Sequence, residues 1–412
     1  MILVIGTLDT KGIEFEYLRD CLKKHQLEVL LVDAGILRQP QILPDMDRQQ
    51  FYNLAGVDVR ELATRGDRGE AITKATQAAQ ILATQLYREG KLSGVMGLGG
   101  SAGTSIATAA MRSLPYGIPK IMVSTLASGQ VQPFVGIRDI VMMPSIVDFC
   151  GLNRFLRSIL QNAAAATKGM VSEYLRQIGE RSSEATFENK NNSRKPLLAA
   201  TMFGVTTPCV EKICSGLEND FEVVVFHATG TGGRTMEQLI LEGAIQGVLD
   251  ITTTELADEL VGGILSAGSN RLTAAALKGI PQLISLGALD MVNFGPMNTV
   301  PEKFQGRKLY PHNPQVTLMR TTPEENDALG KEIAQKASAS RAKTAILIPL
   351  RGVSALDAEG KPFWWPEADH ALFQSIRDWV APQVEIIEVD LHINDPQFSS
   401  TAIEVFSKMI GK

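Results

Sequence analysis

The sequence predicts an α/β protein of two Rossmann-like domains, each a mostly parallel sheet covered by helices on both faces, with a ligand cleft between them. Three observations predict it. Short apolar runs of strand length alternate with segments of helical period along all 412 residues. Several of these runs end in a glycine-rich turn that opens the next helix, the layout of βαβ units that bind nucleotides. One polar stretch, ERSSEATFENKNNSRK at 180–195, separates two halves of similar length. The expected domains are therefore an N-terminal nucleotide-binding domain at 1–185, a polar linker at 186–195 and a C-terminal domain at 196–412.

The elements follow in order. Residues 1–6 are a continuous apolar run ending in glycine, and 11–26 place Ile13, Tyr17, Leu18 and Leu22 at helical spacing. A second apolar run at 27–32 closes on Asp33-Ala34-Gly35, so the chain opens as βαβ. Residues 36–66 read as a long connection with one short helix near 47–55, a segment suited to a lid or a dimer arm. A helix at 68–89, a strand at 94–98, a helix through Leu114 and a strand at 118–124 come next, then a short strand at 140–143. A long helical region spans 147–178, with Gly169 a point of interruption. The second half restarts the pattern with strands at 197–203, 221–226, 247–251, 282–286, 315–319, 344–350 and 384–389. Helices are expected near 207–217, 235–243, 272–278, 323–339, 367–380 and 396–410.

Composition narrows the function classes. An apolar share of 44% and a charged share of 21% are those of an ordinary globular protein, and a net charge of -5 gives no broad attraction to nucleic acid or anionic lipid. Small-molecule partners are expected. The four cysteines, Cys21, Cys150, Cys209 and Cys214, are scattered and read as reduced thiols. The opening MILVIGTLDTKG lacks the basic region and long apolar stretch of a signal peptide, and no later run has the length of a membrane helix, so a cytoplasmic location is expected.

The strongest local motif is GLGGSAGTS at 97–105, directly after a strand and at the start of a helix. Gly97, Gly99, Gly100 and Gly103 allow close backbone approach, and a helix N-terminus offers unpaired N–H groups to phosphate. Ser101, Thr104 and Ser105 add hydroxyls. The turn is neither a Walker A loop nor a clean G-x-G-x-x-G, and tight packing without a ligand is the alternative. A second candidate is GTLDTKG at 6–12: Lys11 to neutralise phosphate, Thr7 and Thr10 to donate, and Asp9 to hold a metal-bound water or a ribose hydroxyl. Helix capping with a solvated lysine is the alternative there. Residues 124–129, with Ser128 and Gly129, offer small hydroxylated positions at the same sheet edge.

In the second half, HATGTGGRTMEQL at 227–239 repeats strand, glycine-rich turn and helix. Gly230, Gly232 and Gly233 supply backbone freedom, Arg234 suits an anion, and His227 with Glu237 suits an acid/base pair. The alternative for His227 is a strand-end histidine bonded to backbone. Asp250 and Glu255 suit Mg2+ or a sugar hydroxyl if they face a crevice, and helix-dipole compensation if they do not. Arg271 is a further anion ligand. Trp364 and Trp365 in GKPFWWP, 360–366, suit buried packing or a subunit contact.

Four motifs in this order, GTLDTKG, GLGGSAGTS, HATGTGGRTMEQL and GVSALDAEGKPFWWPEAD, resemble a bacterial and plant family. Its best-known relative is the N-terminal ATP-binding inhibitor domain of the tomato mosaic virus resistance protein. The resemblance covers nearly the whole chain and implies two Rossmann-like domains, ATP as ligand, and homodimers; Mg2+ accompanying the nucleotide is a residue-based expectation, through Asp250 or Glu255. It also implies that a barrel-type partner enzyme would be a separate chain. It supplies no reaction, because a fold hosts many chemistries. The expectation is an ATP-binding protein acting as an enzyme on a small molecule in the inter-domain cleft. A sugar-phosphate or acid-sugar isomerase or lyase working without ATP, and a nucleotide-sensing interaction module, stand as alternatives. A dinucleotide oxidoreductase is weaker: the first βα turn lacks the glycine fingerprint, although Asp33 sits near the place of a ribose-binding acid.

Overall fold

The apolar run at the start of the chain forms β1 (Ile2–Gly6), buried at every residue. In the computed structural model, which describes residues 1–186 and 195–411, two compact units appear, Met1–Asn192 and Ser193–Lys412. The linker expected at 186–195 lies, apart from its first and last residues, outside the described residues.

In the first unit β1 is followed by α1 (Leu8–Lys24), β2 (Val29–Asp33), the short helices α2 (Arg48–Asn53) and α3 (Val59–Arg65), and α4 (Arg68–Arg88). Then come β3 (Gly94–Gly99), α5 (Ser101–Arg112), β4 (Lys120–Ser124), α6 (Gln132–Val135), β5 (Val141–Pro144) and α7 (Arg154–Thr186). The strands are all parallel in the order β2-β1-β3-β4-β5. The chain leaves β1 toward β2 and returns on the other side as β3, so β1 and β3 flank a switch point where crossovers diverge and a crevice opens at the carboxyl ends.

Burial on both faces explains why β1 reads as an unbroken apolar run instead of an alternating one. Leu3 and Ile5 join the core under α2 to α5, while Ile2 and Val4 join the core under α1 and α7. Each such side chain contributes roughly 1.5–3 kcal/mol on burial. The alanines of α4, among them Ala75, Ala78, Ala79 and Ala83, let that helix lie close to Ala107 and Ala110 of α5. The long helix differs from expectation at both ends, beginning at Arg154 instead of residue 147 and running to Thr186 instead of 178. At its start the Asn153 carboxamide oxygen accepts from the amides of Phe155 and Leu156, and it runs through Gly169 without interruption.

The second unit runs β6 (Leu197–Met202), α8 (Thr207–Leu217), β7 (Glu222–His227), α9 (Thr231–Leu241), β8 (Gly247–Thr252), α10 (Thr254–Val261) and α11 (Ala274–Lys278). It continues with β9 (Gln282–Gly287), β10 (Met291–Phe294), β11 (Leu309–Asn313), β12 (Val316–Arg320), α12 (Pro323–Ser338), β13 (Thr344–Pro349), α13 (Pro366–Trp379), β14 (Glu385–Val389) and α14 (Pro396–Met409). Six strands form a parallel sheet, β14-β13-β9-β8-β6-β7. The strand expected at 315–319 is β12, and it stands outside that sheet. It pairs antiparallel with β10 and β11 in a separate three-stranded sheet. Both large sheets are parallel, as the alternating pattern implies.

Candidate active site

At the first unit's switch point the turns after β1 and β3 meet. The turn after β1 is fixed from below: Asp33, at the end of β2, accepts from the Leu8 amide at 3.2 Å and the Gly35 amide at 2.9 Å. Its other oxygen takes the Arg48 side chain at 2.7 Å and 2.8 Å. Burial pushes the Asp33 carboxyl above its ordinary value, against these bonds. Asp33 is thus engaged in holding the loops, and no oxygen is left for a ribose. Lys11 departs from helical backbone geometry within the first turns of α1, and its ammonium lies 6.0 Å from the Phe149 ring centre. No carboxylate pairs with it among the described residues. Thr7 and Thr10 join through their hydroxyls at 3.0 Å. Asp9 is buried and its Oδ2 accepts from the amides of Leu37 at 2.7 Å and Arg38 at 3.3 Å. It ties the loop after β2 to the loop after β1.

The glycines after β3 divide into two kinds. A Cβ on Gly97 would stand 2.4 Å from Ala107 Cβ, and one on Gly103 would stand 2.9 Å from the Leu98 carbonyl, so these two are required by the fit of α5 against β3. Gly99 holds φ at +151° and passes within the same tight turn. Gly100 is different. Its nearest neighbour would be Thr125 Oγ1 at 3.6 Å, an ordinary contact, and its open side faces a cavity. No side chain caps α5 at its N-terminus, leaving its first amides for an acceptor from outside. Thr104 does not reach that cavity: it is fully buried and joins Ser124 at 2.7 Å, anchoring α5 to β4.

The cavity has a volume of about 430 Å³, within the range of small-molecule sites. Thr7, Asp9, Thr10 and Lys11 line it from the first turn, and Gly100, Ser101, Ala102 and Gly103 from the second. Tyr52, Arg68, Ala71, Ile72 and Ile106 supply the rest of the wall with the loop at 34–37. Sequence reasoning missed Tyr52, from α2 in the connection after β2, and Arg68 and Ile72, from the first turns of α4. A second hollow of about 400 Å³ lies beside it, lined by Ser124, Thr125, Ser128, Ser145 and Asp148 among others. Gly129 lines neither; its amide closes a turn onto the Leu126 carbonyl. Larger hollows of about 560 Å³ along α4 and about 700 Å³ beside α11 and α12 lie away from the glycine-rich turns.

The second unit's glycine-rich turn is filled from within the protein. Glu255 Oε1 accepts from the amides of Gly230 at 2.6 Å and Gly233 at 3.0 Å, so a carboxylate occupies the α9 N-terminus where a phosphate was expected. A Cβ on Gly233 would stand 2.1 Å from Glu255 Oε2, and Gly232 is pressed against the His227 carbonyl. The expectation of a phosphate cradle at Gly230, Gly232 and Gly233 is corrected accordingly. Arg271, with no exposed surface, binds Glu255 at 2.7 Å, both oxygens of Asp250 at 2.5 and 2.6 Å, and Glu237 at 3.4 Å. Burial opposes its charge, but the three carboxylates drive its pKa above the ordinary arginine value. Arg271, Asp250 and Glu255 are therefore a buried ion network and not ligands of an anion or of Mg2+.

The acid/base pair is likewise not assembled. Glu237 accepts from the amides of Leu272 at 2.6 Å, Thr273 at 3.2 Å and Ala274 at 2.7 Å, capping the turn into α11, and burial raises its carboxyl. His227 is exposed at the end of β7 and packs edge-on to Phe203 at 5.5 Å. Arg234 is exposed, its Nε bonded to the Gly230 carbonyl at 3.2 Å. Among the described residues no group of three or more His, Cys, Asp or Glu is arranged to hold a metal ion. No helix among them is long and apolar enough to cross a membrane.

Comparison with known proteins follows the same division of the chain. The family model described as uncharacterised protein family (UPF0261) N-terminal domain matches residues 1–176, and that of the C-terminal domain matches 195–410. A UPF0261 protein of Clostridium tetani is 47% identical over 412 residues, covering 100% of this chain and 98% of that protein. The ToMV susceptible protein tm-1(GCR26) of Solanum lycopersicum is 40% identical over 429 residues, and the ToMV resistance protein Tm-1(GCR237) 39%. This chain spans 56% of the length of each tomato protein. Among solved structures, UDP-N-acetylglucosamine 2-epimerase from Rickettsia bellii aligns over 99% of this chain and 95% of its own at 11% identity. Its TM-score of 0.23 is too low to bear on function.

Proposed function

We propose that this chain, which belongs to uncharacterised protein family UPF0261, binds ATP through the cavity at the first unit's switch point. The single observation that carries the reading is the convergence of two βα turns on one cavity. Lys11, the Thr7 and Thr10 hydroxyls and the uncapped start of α5 at Gly100 to Gly103 all face one space of about 430 Å³. Phosphate suits these groups together: unpaired backbone amides at a helix N-terminus, a lysine without a carboxylate partner among the described residues, and hydroxyl donors. Ile72, Ile106 and Tyr52 add the apolar wall a base or sugar ring would contact. Mg2+ accompanying the phosphates would meet one protein carboxylate here, Asp9, and would take its other ligands from phosphate and water, as this ion commonly does. The proposal covers binding and assigns no reaction.

Gly100→Val tests it. The backbone at Gly100 is extended, φ -83° and ψ -153°, and a Cβ there meets only Thr125 Oγ1 at 3.6 Å, so valine is accommodated by the fold while its methyls enter the cavity. Calorimetric titration of wild type with ATP should give saturable binding that this variant loses while its melting temperature without ligand is kept. Absence of binding to the wild type, or equal affinity in the two proteins, refutes the reading.

A further inference from the structure

The cavity receives two cations, and they come from opposite faces of the sheet. Lys11 belongs to α1, which packs with α7 on one core; Arg68 belongs to α4, which packs with α5 on the other. Both reach the rim above the strand ends. Neither pairs with a carboxylate among the described residues.

Local structure gives no reason for an arginine at position 68. It is the first residue of α4, where the helix dipole favours acidic side chains and disfavours a cation. The capping work is already complete without it. Asp67 accepts from the amides of Gly69 at 2.8 Å and Glu70 at 3.0 Å, and the Glu70 carboxylate is held by Arg65 at 2.8 Å. The turn before it, Gly66 at φ +68°, reverses the chain so that Arg68 stands on the cavity wall. A solvated surface arginine would be equally content one turn further along α4, away from the unfavourable dipole end. An anion in the cavity would give it a partner at that position.

We infer that Arg68 is a specificity-determining residue that binds a second anionic group of the ligand, so that the cavity selects a polyphosphate over a monophosphate. This rests on the nucleotide reading above. Lys11 and the start of α5 would hold one phosphate, and Arg68, across the strand ends, a phosphate further along the chain. The planar guanidinium suits this because it presents two parallel N–H donors to one phosphate group.

The test is a titration of wild type, Arg68→Gln and Arg68→Lys with ATP, ADP and AMP at fixed ionic strength. A charge-assisted contact of this kind is worth about 10- to 100-fold in affinity. Wild type should therefore bind ATP at least about tenfold more tightly than AMP. Arg68→Gln should remove that gap by weakening ATP while leaving AMP within about threefold, and Arg68→Lys should restore part of it. The side chain is exposed and at a helix start, so melting temperature should not fall in either variant. A gap that survives in Arg68→Gln overturns the inference, as does an equal loss for AMP and ATP. Equal wild-type affinity for AMP and ATP overturns it too, while leaving nucleotide binding intact. No binding of any nucleotide by the wild type defeats the underlying reading and the inference with it.

Discussion

Replacing Glu255 with alanine tests whether the second glycine-rich turn is an internal structure. Glu255 accepts two backbone amides and one guanidinium nitrogen, and it has no exposed surface. Removing it leaves the amides of Gly230 and Gly233 without their acceptor and takes one of three carboxylates from Arg271. Breaking a buried pair of this kind costs about 3–5 kcal/mol, and Asp250 keeps Arg271 from being left wholly unpaired, which places the loss nearer the lower bound. For a unit of this size each kcal/mol moves the midpoint by roughly 2–4 °C, so a fall of about 6–20 °C is expected. The assay can be confined to the unit concerned, because all three tryptophans, Trp364, Trp365 and Trp379, lie in it. Denaturant melts followed by tryptophan fluorescence therefore report this unit alone. A loss below about 1 kcal/mol would show that Glu255 does not cap α9, and the turn would again be open to an outside anion.

Two further outcomes follow from the same geometry. Gly103→Ala, which sets a Cβ 2.9 Å from a backbone carbonyl, should destabilise the first unit by about 1–3 kcal/mol in circular dichroism melts, whereas Gly100→Ala should stay within about 0.5 kcal/mol of wild type. Asp258 is pushed up to about 7 by burial, against hydrogen bonds from Asn293 and Leu265. Burial likewise raises Asp290 and Asp369. Between the ordinary carboxylate value and these raised values the folded state holds protons that the unfolded chain has released, so the second unit should be most stable below about pH 4 with respect to these groups and lose stability as pH rises through about 7. Asp258→Asn should flatten that slope, since the amide is neutral throughout and Asn293, whose Oδ1 has no partner among the described residues, can turn to meet it. An unchanged slope would reject Asp258 as a source of it.

The parts of the fold legible in the sequence are those whose cause is local. β1 and β3 show as unbroken apolar runs because both faces are buried. Strand order is not local, and it changes the meaning of the two glycine-rich motifs. GLGGSAGTS follows β3, which lies inside its sheet beside the switch point, whereas HATGTGGRTMEQL follows β7, which lies at the sheet's edge. The sequence likeness of strand, glycine turn and helix hides that difference. Glu255 and Arg271 were visible as polar residues at turns, but their convergence joins positions 16 apart with partners 21 and 34 residues away. Nothing in a linear pattern marks such a junction. The antiparallel sheet escaped for another reason: β10 is four residues long, and β11 reads LYPHN, whose proline and polar residues break the strand signal. Arg68 did leave a local trace, a cation directly after the Asp67 cap.

The two large sheets share one strand order, since β7-β6-β8-β9-β13 repeats β2-β1-β3-β4-β5. Each unit thus has a switch point, between β1 and β3 in one and between β6 and β8 in the other. They are furnished in opposite ways. In the second unit Thr201 donates to Asp250 at 2.8 Å and accepts from the Thr252 amide at 2.9 Å, while Thr206 and Thr252 join at 2.8 Å. These residues have at most 1% of their surface exposed, and the one guanidinium among them faces three carboxylates. An anion brought there would have to displace a carboxylate from Arg271 and would gain no unpaired cation in return. In the first unit Lys11, in the turn after β1, and Arg68, at the start of α4, have no carboxylate partner among the described residues, and Gly100 has an open side. The shared strand order therefore carries an internal salt-bridge core in one unit and, in the other, a cavity whose lining cations pair with no carboxylate among the described residues.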